Sequence, residues 1–354
     1  MRGFFFFLGS VFLELTSSLF FQGFSALGAS SVPELVVYTA SSLMTPEGLG
    51  PVLFSQFEKQ SGCRVRVLTY GNGAQLLARL QLDAHRDKRN AHVLLGVDQH
   101  LWERVKPWTE SWGDWTPRDY SQISVGVSLE RGILPYNYGI FAFMVDRQYL
   151  NYFNLKEPSS LLDLLQIQWR RNILMEDPRT SSVGLSFLVY TQAVLGGSVW
   201  NFWKNFRNQW LTLTPSWDGA YRLFLKKEAP LVWSYLSSQA YHEEMNSLGS
   251  VQSRYQAIIW KEGNPLQIEG AVFLKGIQKS QVSIDLGRKF LEFLISKEVQ
   301  SLIPRKMWMM PVRQDIDLPL SFKKLPKPFR VFALFPKPVE IKESLAQWNR
   351  VVVQ

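Results

Sequence analysis

Ile173-Leu174-Met175-Glu176-Asp177-Pro178-Arg179-Thr180-Ser181-Ser182-Val183-Gly184 reads as a strand end, a tight turn and a helix start in one line. Ile173 to Met175 is short and apolar, Asp177-Pro178 is turn chemistry, and Leu185 to Leu195 carries apolar residues at helical spacing. Ser181 and Ser182 then fall at a helix N-terminus, where backbone donors and the positive end of the helix dipole favour an anion. The same serine could simply cap a structural helix, and this stretch alone leaves both readings open.

Working outward, the unit repeats in kind. Leu35 to Thr39 is a strand, Pro51 to Gln60 an amphipathic helix, Arg64 to Thr69 a strand, and Ala74 to Asp83 a second helix. Tyr70-Gly71-Asn72-Gly73 places a glycine-flanked turn at a strand's carboxyl end. Strands follow at Ala91 to Gly96, Tyr138 to Val145, Trp210 to Pro215, Leu231 to Tyr235 and Gln267 to Leu274, with helices at Trp217 to Lys227, Ser283 to Leu294 and Ile341 to Val352. This alternation predicts an α/β protein of two lobes with a ligand cleft between them. The lobes are expected as 30–137, then 138–262, then a return to the first lobe over 263–354 that includes the C-terminal helix. No repeat or low-complexity segment interrupts the chain.

At 354 residues, 46% apolar and 19% charged, the chain can bury two substantial cores, and its 13 tryptophans and 24 phenylalanines supply rings for a cleft as well as for packing. Residues 1–29 read as a secretory signal: Arg2, an apolar run from Phe4 to Leu13, and small residues Ala26-Leu27-Gly28-Ala29. Glu14 interrupts the apolar stretch, and no uninterrupted run reaches about 18 apolar residues, which argues for export over a membrane anchor. Cys63 is the sole cysteine, expected as a buried thiol, so no intrachain disulfide or cysteine-based zinc site is possible. The net charge of +9 is dispersed without a nucleic-acid motif and is read as a solvated surface. The expectation is a periplasmic monomer with no nucleic-acid partner, no cofactor and no metal.

Trp217, Tyr235 and Tyr241 stand near strand ends of the second lobe, with Tyr221 one turn after the tryptophan; such rings either pack in a core or stack on a planar heterocycle and attract a cation. Ser237-Ser238-Gln239 between the two tyrosines looks polar and loop-like. Ser41 and Ser42 form another hydroxyl pair after the first strand, and Asn72-Gly73 could donate N–H groups to a phosphate. Histidines 85, 92, 100 and 242 fall in no metal-ligand spacing, no Gly-x-Ser-x-Gly elbow occurs, and His242 is expected at the surface or behind the site. The chain is therefore not read as an enzyme.

Several collinear segments together resemble the periplasmic thiamine-binding proteins of bacterial ABC importers: Val37-Tyr38-Thr39, Leu94 to Asp98, Tyr138 to Phe143, Asp177-Pro178-Arg179-Thr180-Ser181, Trp217 to Lys226, Tyr235 to His242, Gln267-Ile268-Glu269 and Trp308 to Val312. The resemblance implies a type II periplasmic binding fold, a thiamine or thiamine phosphate ligand, and an inner-membrane permease with its ATPase as partners. It assigns Ser181 to the phosphate end with Asn72-Gly73 opposite, and Trp217, Tyr235, Tyr241 and Trp308 to the ring system. Two positions depart from the family: Ala40-Ser41 stands where Tyr-Asp is usual, and Asn72 replaces an acidic residue. The competing readings are the same fold holding an oxyanion or another small phosphorylated or heterocyclic solute, a ferric-ion binder, and a secreted hydrolase using Ser181 or Ser42. The last lacks an identifiable base.

Overall fold

The computed structural model describes residues 32–86, 91–111, 113–123, 132–245, 254–275 and 281–353. The expected leader, residues 1–29, lies outside the described residues.

The strands are β1 Glu34–Ala40, β2 Arg64–Tyr70, β3 Val93–Asp98, β4 Ile133–Asp146, β5 Ile173–Glu176, β6 Trp210–Thr214, β7 Leu231–Tyr235, β8 Tyr255–Ala257, β9 Asn264–Phe273, β10 Met310–Pro311 and β11 Val331–Phe332. The α-helices are α1 Leu49–Ser61, α2 Gly73–His85, α3 Trp102–Val105, α4 Arg147–Tyr152, α5 Ser182–Leu195 and α6 Val199–Phe206. They continue as α7 Trp217–Leu225, α8 Ser238–Met245, α9 Gln281–Leu294, α10 Lys297–Lys306, α11 Leu320–Lys323 and α12 Pro338–Trp348.

The main strand order is β2-β1-β3-β9-β4-β7-β5-β6. β1 has both faces covered and reads as a near-continuous apolar run, while β2 at the sheet edge alternates exposed and half-buried residues. β2, β1 and β3 are parallel, as are β7, β5 and β6, and each parallel set is built from strand-helix units. Local chemistry sets the helix ends. Gly62 closes α1 with a φ of 60°, its N–H donating to the Glu58 carbonyl, and Asn72 opens α2 by accepting from the Gln75 N–H.

The two parallel sets are joined by β4. Its Ile133–Ile140 portion pairs antiparallel with β9, and its Phe141–Val145 portion pairs antiparallel with β7. One core, around Val37, Phe57, Leu94 and Phe290, buries β4 residues as far as Tyr136 and packs against Tyr138 and Ile140. The second starts at Phe141 and surrounds Trp169, Phe187, Trp203 and Trp233, and a third cluster under Tyr221 and Val232 covers the other face of the same strands. Cys63 is buried in the first core.

The C-terminal helix differs from expectation. α12 buries Ile341 and Trp348 in the second core, so the tail returns past the first lobe to the second. The reason is aromatic: Trp348 is fully buried and meets Trp203 edge-on at 5.9 Å, a partner invisible in the linear pattern. A second difference concerns α5 and α6. Through a 3-10 turn at Gly196–Ser198 they form a helical run, Ser182–Phe206, apolar enough to pass as a membrane span, yet 56% of its most apolar window is buried within the protein. It is a core helix.

Candidate ligand-binding cleft

The carboxyl ends of β5 and β7 and the starts of α5, α7 and α8 converge, and they carry most of the residues singled out above. At one side, Ser181 is 5% exposed and has extended backbone at the N-cap of α5. Its Oγ accepts from the Gly184 N–H at 3.4 Å, and its own N–H donates to the Asp177 carbonyl at 2.9 Å. Capping thus uses an acceptor lone pair and leaves the hydroxyl proton available to a ligand. Ser182 follows as the first helical residue and is half-buried. Gly184 is required here, because a Cβ would stand 2.4 Å from the Glu176 carbonyl oxygen.

Asn72 comes from the other lobe. Its Nδ2 donates to the Thr180 carbonyl at 2.9 Å while its Oδ1 caps α2, so this one side chain ties the Asn72-Gly73 turn to the Asp177–Ser181 turn. Arg179, in contrast, is occupied. It forms a salt bridge with Asp177 at 2.6 Å, donates to Asn349 at 3.1 Å and lies over the Trp348 ring. The arginine of the motif therefore fastens the turn to the C-terminal segment. Ser41 and Ser42 form a one-turn 3-10 helix and are exposed, and neither hydroxyl caps it.

At the other side the rings assemble. Trp217 stacks on Tyr221 at 4.9 Å and meets Tyr235 edge-on at 6.2 Å, while its Nε1 donates to Ser234 Oγ at 2.9 Å. Tyr241 meets Trp308 edge-on at 5.0 Å. Trp308 holds a φ of 55°, uncommon for a bulky residue, and stacks on Phe322 at 6.4 Å. Tyr221 is buried beneath Trp217, with its hydroxyl 2.8 Å from His242 Nε2. Of Ser237-Ser238-Gln239 only Ser237 lies in a turn, since Ser238 begins α8, so the six-residue spacing runs from a strand end into a helix. His242 is also not at the surface: it is buried in α8 against Tyr221 and Tyr255, and burial lowers its pKa to about 4.

Tyr235 sits where the lobes join. Its hydroxyl donates to Gln267 Oε1 at 2.6 Å, Gln267 Nε2 reaches Asp98 at 3.4 Å, and its ring stacks on Phe141 at 4.7 Å. Gly139 makes room for it, because a Cβ there would lie 2.9 Å from the Tyr235 ring and 2.8 Å from the Met309 methyl. Sequence reasoning missed the acidic groups around this tyrosine. Asp98 and Glu269 face each other in the β3–β9 register, and Glu269 accepts from Tyr136 at 3.0 Å and Asn137 at 2.8 Å. Desolvation, then the charges of Glu269, Asp98 and Glu176, hold the Tyr235 hydroxyl well above the ordinary tyrosine range. Burial likewise raises Glu269 and raises Glu176 strongly. An acidic residue at a buried strand end was the available signal. Among the described residues no cluster of His, Cys, Asp and Glu could hold a metal ion.

A continuous strand joining two α/β lobes, with rings and a helix N-terminus at strand ends, is the architecture of a two-lobed solute-binding protein. The chain belongs to the bacterial extracellular solute-binding protein family, whose sequence pattern matches residues 97–328. It is 33% identical over 344 residues to a thiamine-binding periplasmic protein of Brucella abortus, covering 95% of this chain and 97% of that one. It is 32% identical to the thiamine-binding periplasmic protein of Escherichia coli, covering 90% and 94%. Among solved structures, a periplasmic thiamin binding protein superposes with a TM-score of 0.80 at 31% identity, covering 92% of this chain and 98% of that one. The fold is accordingly the two-lobed type II periplasmic-binding-protein architecture.

Proposed function

We propose that this chain is the substrate-binding component of an ABC importer, capturing thiamine or a thiamine phosphate in the periplasm and delivering it to an inner-membrane permease and its ATPase. The observation that carries the reading is the joining of two chemistries at one set of strand ends: the hydroxyl-capped start of α5 for an anion, and Trp217, Tyr235, Tyr241 and Trp308 for a ring system. The names of the full-length relatives support the ligand, and residues 1–29 support export.

A bare oxyanion would leave the rings without a role, because it needs hydrogen-bond donors and no stacking platform. Thiamine or its monophosphate is expected to quench tryptophan fluorescence and raise the melting temperature by mass action, whereas molybdate and sulfate do neither. A melting-temperature rise with an oxyanion and none with millimolar thiamine would replace the proposed ligand within the same fold.

A further inference from the structure

Glu176 is the last residue of β5, 1% exposed, and neither carboxylate oxygen has a hydrogen-bond partner among the described residues. In a protein interior an unpaired carboxyl costs several kcal/mol in its ionised form, so it persists only where something uses it. Its position says what. β5 runs straight into the Asp177–Ser181 turn, Glu176 is level with Thr214 in the sheet, and the strand alternation puts it on the face of Leu174, which packs with Ala220 and Tyr221. Trp217 packs against that same cluster. The carboxyl therefore lies among the strand ends that form the cleft, beneath the ring set.

We infer that Glu176 is a ligand-facing carboxyl that meets the positively charged, nitrogen-bearing ring system of the bound ligand, supplying from β5 the acidic group that Ala40-Ser41 does not supply after β1. The inference rests on the thiamine reading above. A heterocyclic cation seated against Trp217 and Tyr235 brings a charge that favours the carboxylate. Two further acids, Asp98 and Glu269, already hydrogen-bond to protein groups through Gln267, Tyr136 and Asn137. Glu176 alone of the three has its full capacity left.

Its protonation state fits the role. Desolvation raises the Glu176 pKa strongly. The titratable groups near it are Tyr235 on β7, with Asp98 on β3 and Glu269 on β9 beyond it. Tyr221 on α7 is paired with His242, and Asp177 with Arg179. Burial therefore favours the protonated form of Glu176 in the ligand-free protein. A cation arriving beside it drives the carboxylic acid to carboxylate, with the proton leaving to solvent.

The test is calorimetric titration of wild-type protein and Glu176→Gln with thiamine, in two buffers of different ionisation enthalpy at one pH. The wild type is expected to release a measurable fraction of a proton per thiamine bound, and the variant none. The variant should bind thiamine roughly tenfold or more weakly, the scale of a lost charged hydrogen bond. It should also melt higher without ligand at pH 8, since an amide carries no ionisation penalty there. A purely structural glutamate would move melting temperature and affinity downward together. Wild-type binding without proton release, or unchanged affinity in the variant, overturns the role of Glu176 while leaving the receptor reading intact. No binding of thiamine or its monophosphate by the wild type overturns both. If the variant does not fold, the two-buffer titration of the wild type decides alone.

Discussion

The two ends of the cleft are built by different means. The proposed anion end is a short continuous stretch in which a turn, a capping serine and the first turn of α5 follow one another, with Asn72 reaching it from the other lobe. The ring end is gathered from β7, α7, α8, β9 and the Trp308 segment, and its members hold one another by edge and face contacts. A site made of backbone and hydroxyls can be written in ten residues. A site made of rings needs the whole lobe to place them, and it inherits the lobe's stability.

The comparison can be strained first with acid. His242 is kept neutral by burial, with its pKa lowered to about 4 from 6.5, whereas the unfolded chain protonates near the higher value. The unfolded state then binds more protons between these values, so stability falls as pH drops through that window, by up to about 3 kcal/mol from this group. Glu176 and Glu269, raised by burial, act in the opposite direction. Denaturant unfolding of wild type and His242→Gln at pH 7 and pH 4.5 isolates the histidine, and the variant should lose less stability on acidification. Equal losses would place His242 outside the ring end's support.

Next is the anion end itself. Ser181→Ala removes a hydroxyl donor and should weaken a phosphorylated ligand by about 1.5–3 kcal/mol, the range for hydrogen bonds to charged groups, while free thiamine loses far less. Calorimetric titration with both ligands reads the difference, and equal losses would mean that the serine only caps. The smallest effect sharpens the other side: Tyr241→Ala should weaken both ligands alike, by about 0.5–2 kcal/mol, because both share the ring system. Unfolding of this variant with no binding left to measure would assign Tyr241 to the core instead.

The same contrast explains what the sequence discloses. The α/β alternation, the strands from Leu35 to Leu274 and the hydroxyl-capped start of α5 are local patterns, and each is present, although β4 begins at Ile133, five residues before the predicted Tyr138, and β9 at Asn264, three before Gln267. Ser181 as a cap was readable because capping is a matter of three neighbouring residues. The seat of α12 was not, since Trp348 finds Trp203 across 145 positions of chain (348 − 203). Nor was α8, whose polar first residues resemble a loop until Ser238 is seen bonded to Ser234 and Tyr221 to His242. Glu176 passed unnoticed for a similar reason. A carboxylate at the end of an apolar strand looks like a surface residue until the sheet around it is assembled.

β4 gives the cleft a mechanical character. It passes from Ile140 to Phe141 without a break between one sheet and the next, keeping backbone hydrogen bonds on both sides of the crossing. A joint of this kind is a flexure and not a bearing, because the strand is continuous and its backbone stays paired on both sides. Gly139 lies in β4 just before the crossing, and the Tyr235 ring packs where a side chain at that position would otherwise stand. Under the proposed function, a solute seated against Tyr235 would bear on this strand where it crosses between the sheets, so occupancy would be felt as strain in β4.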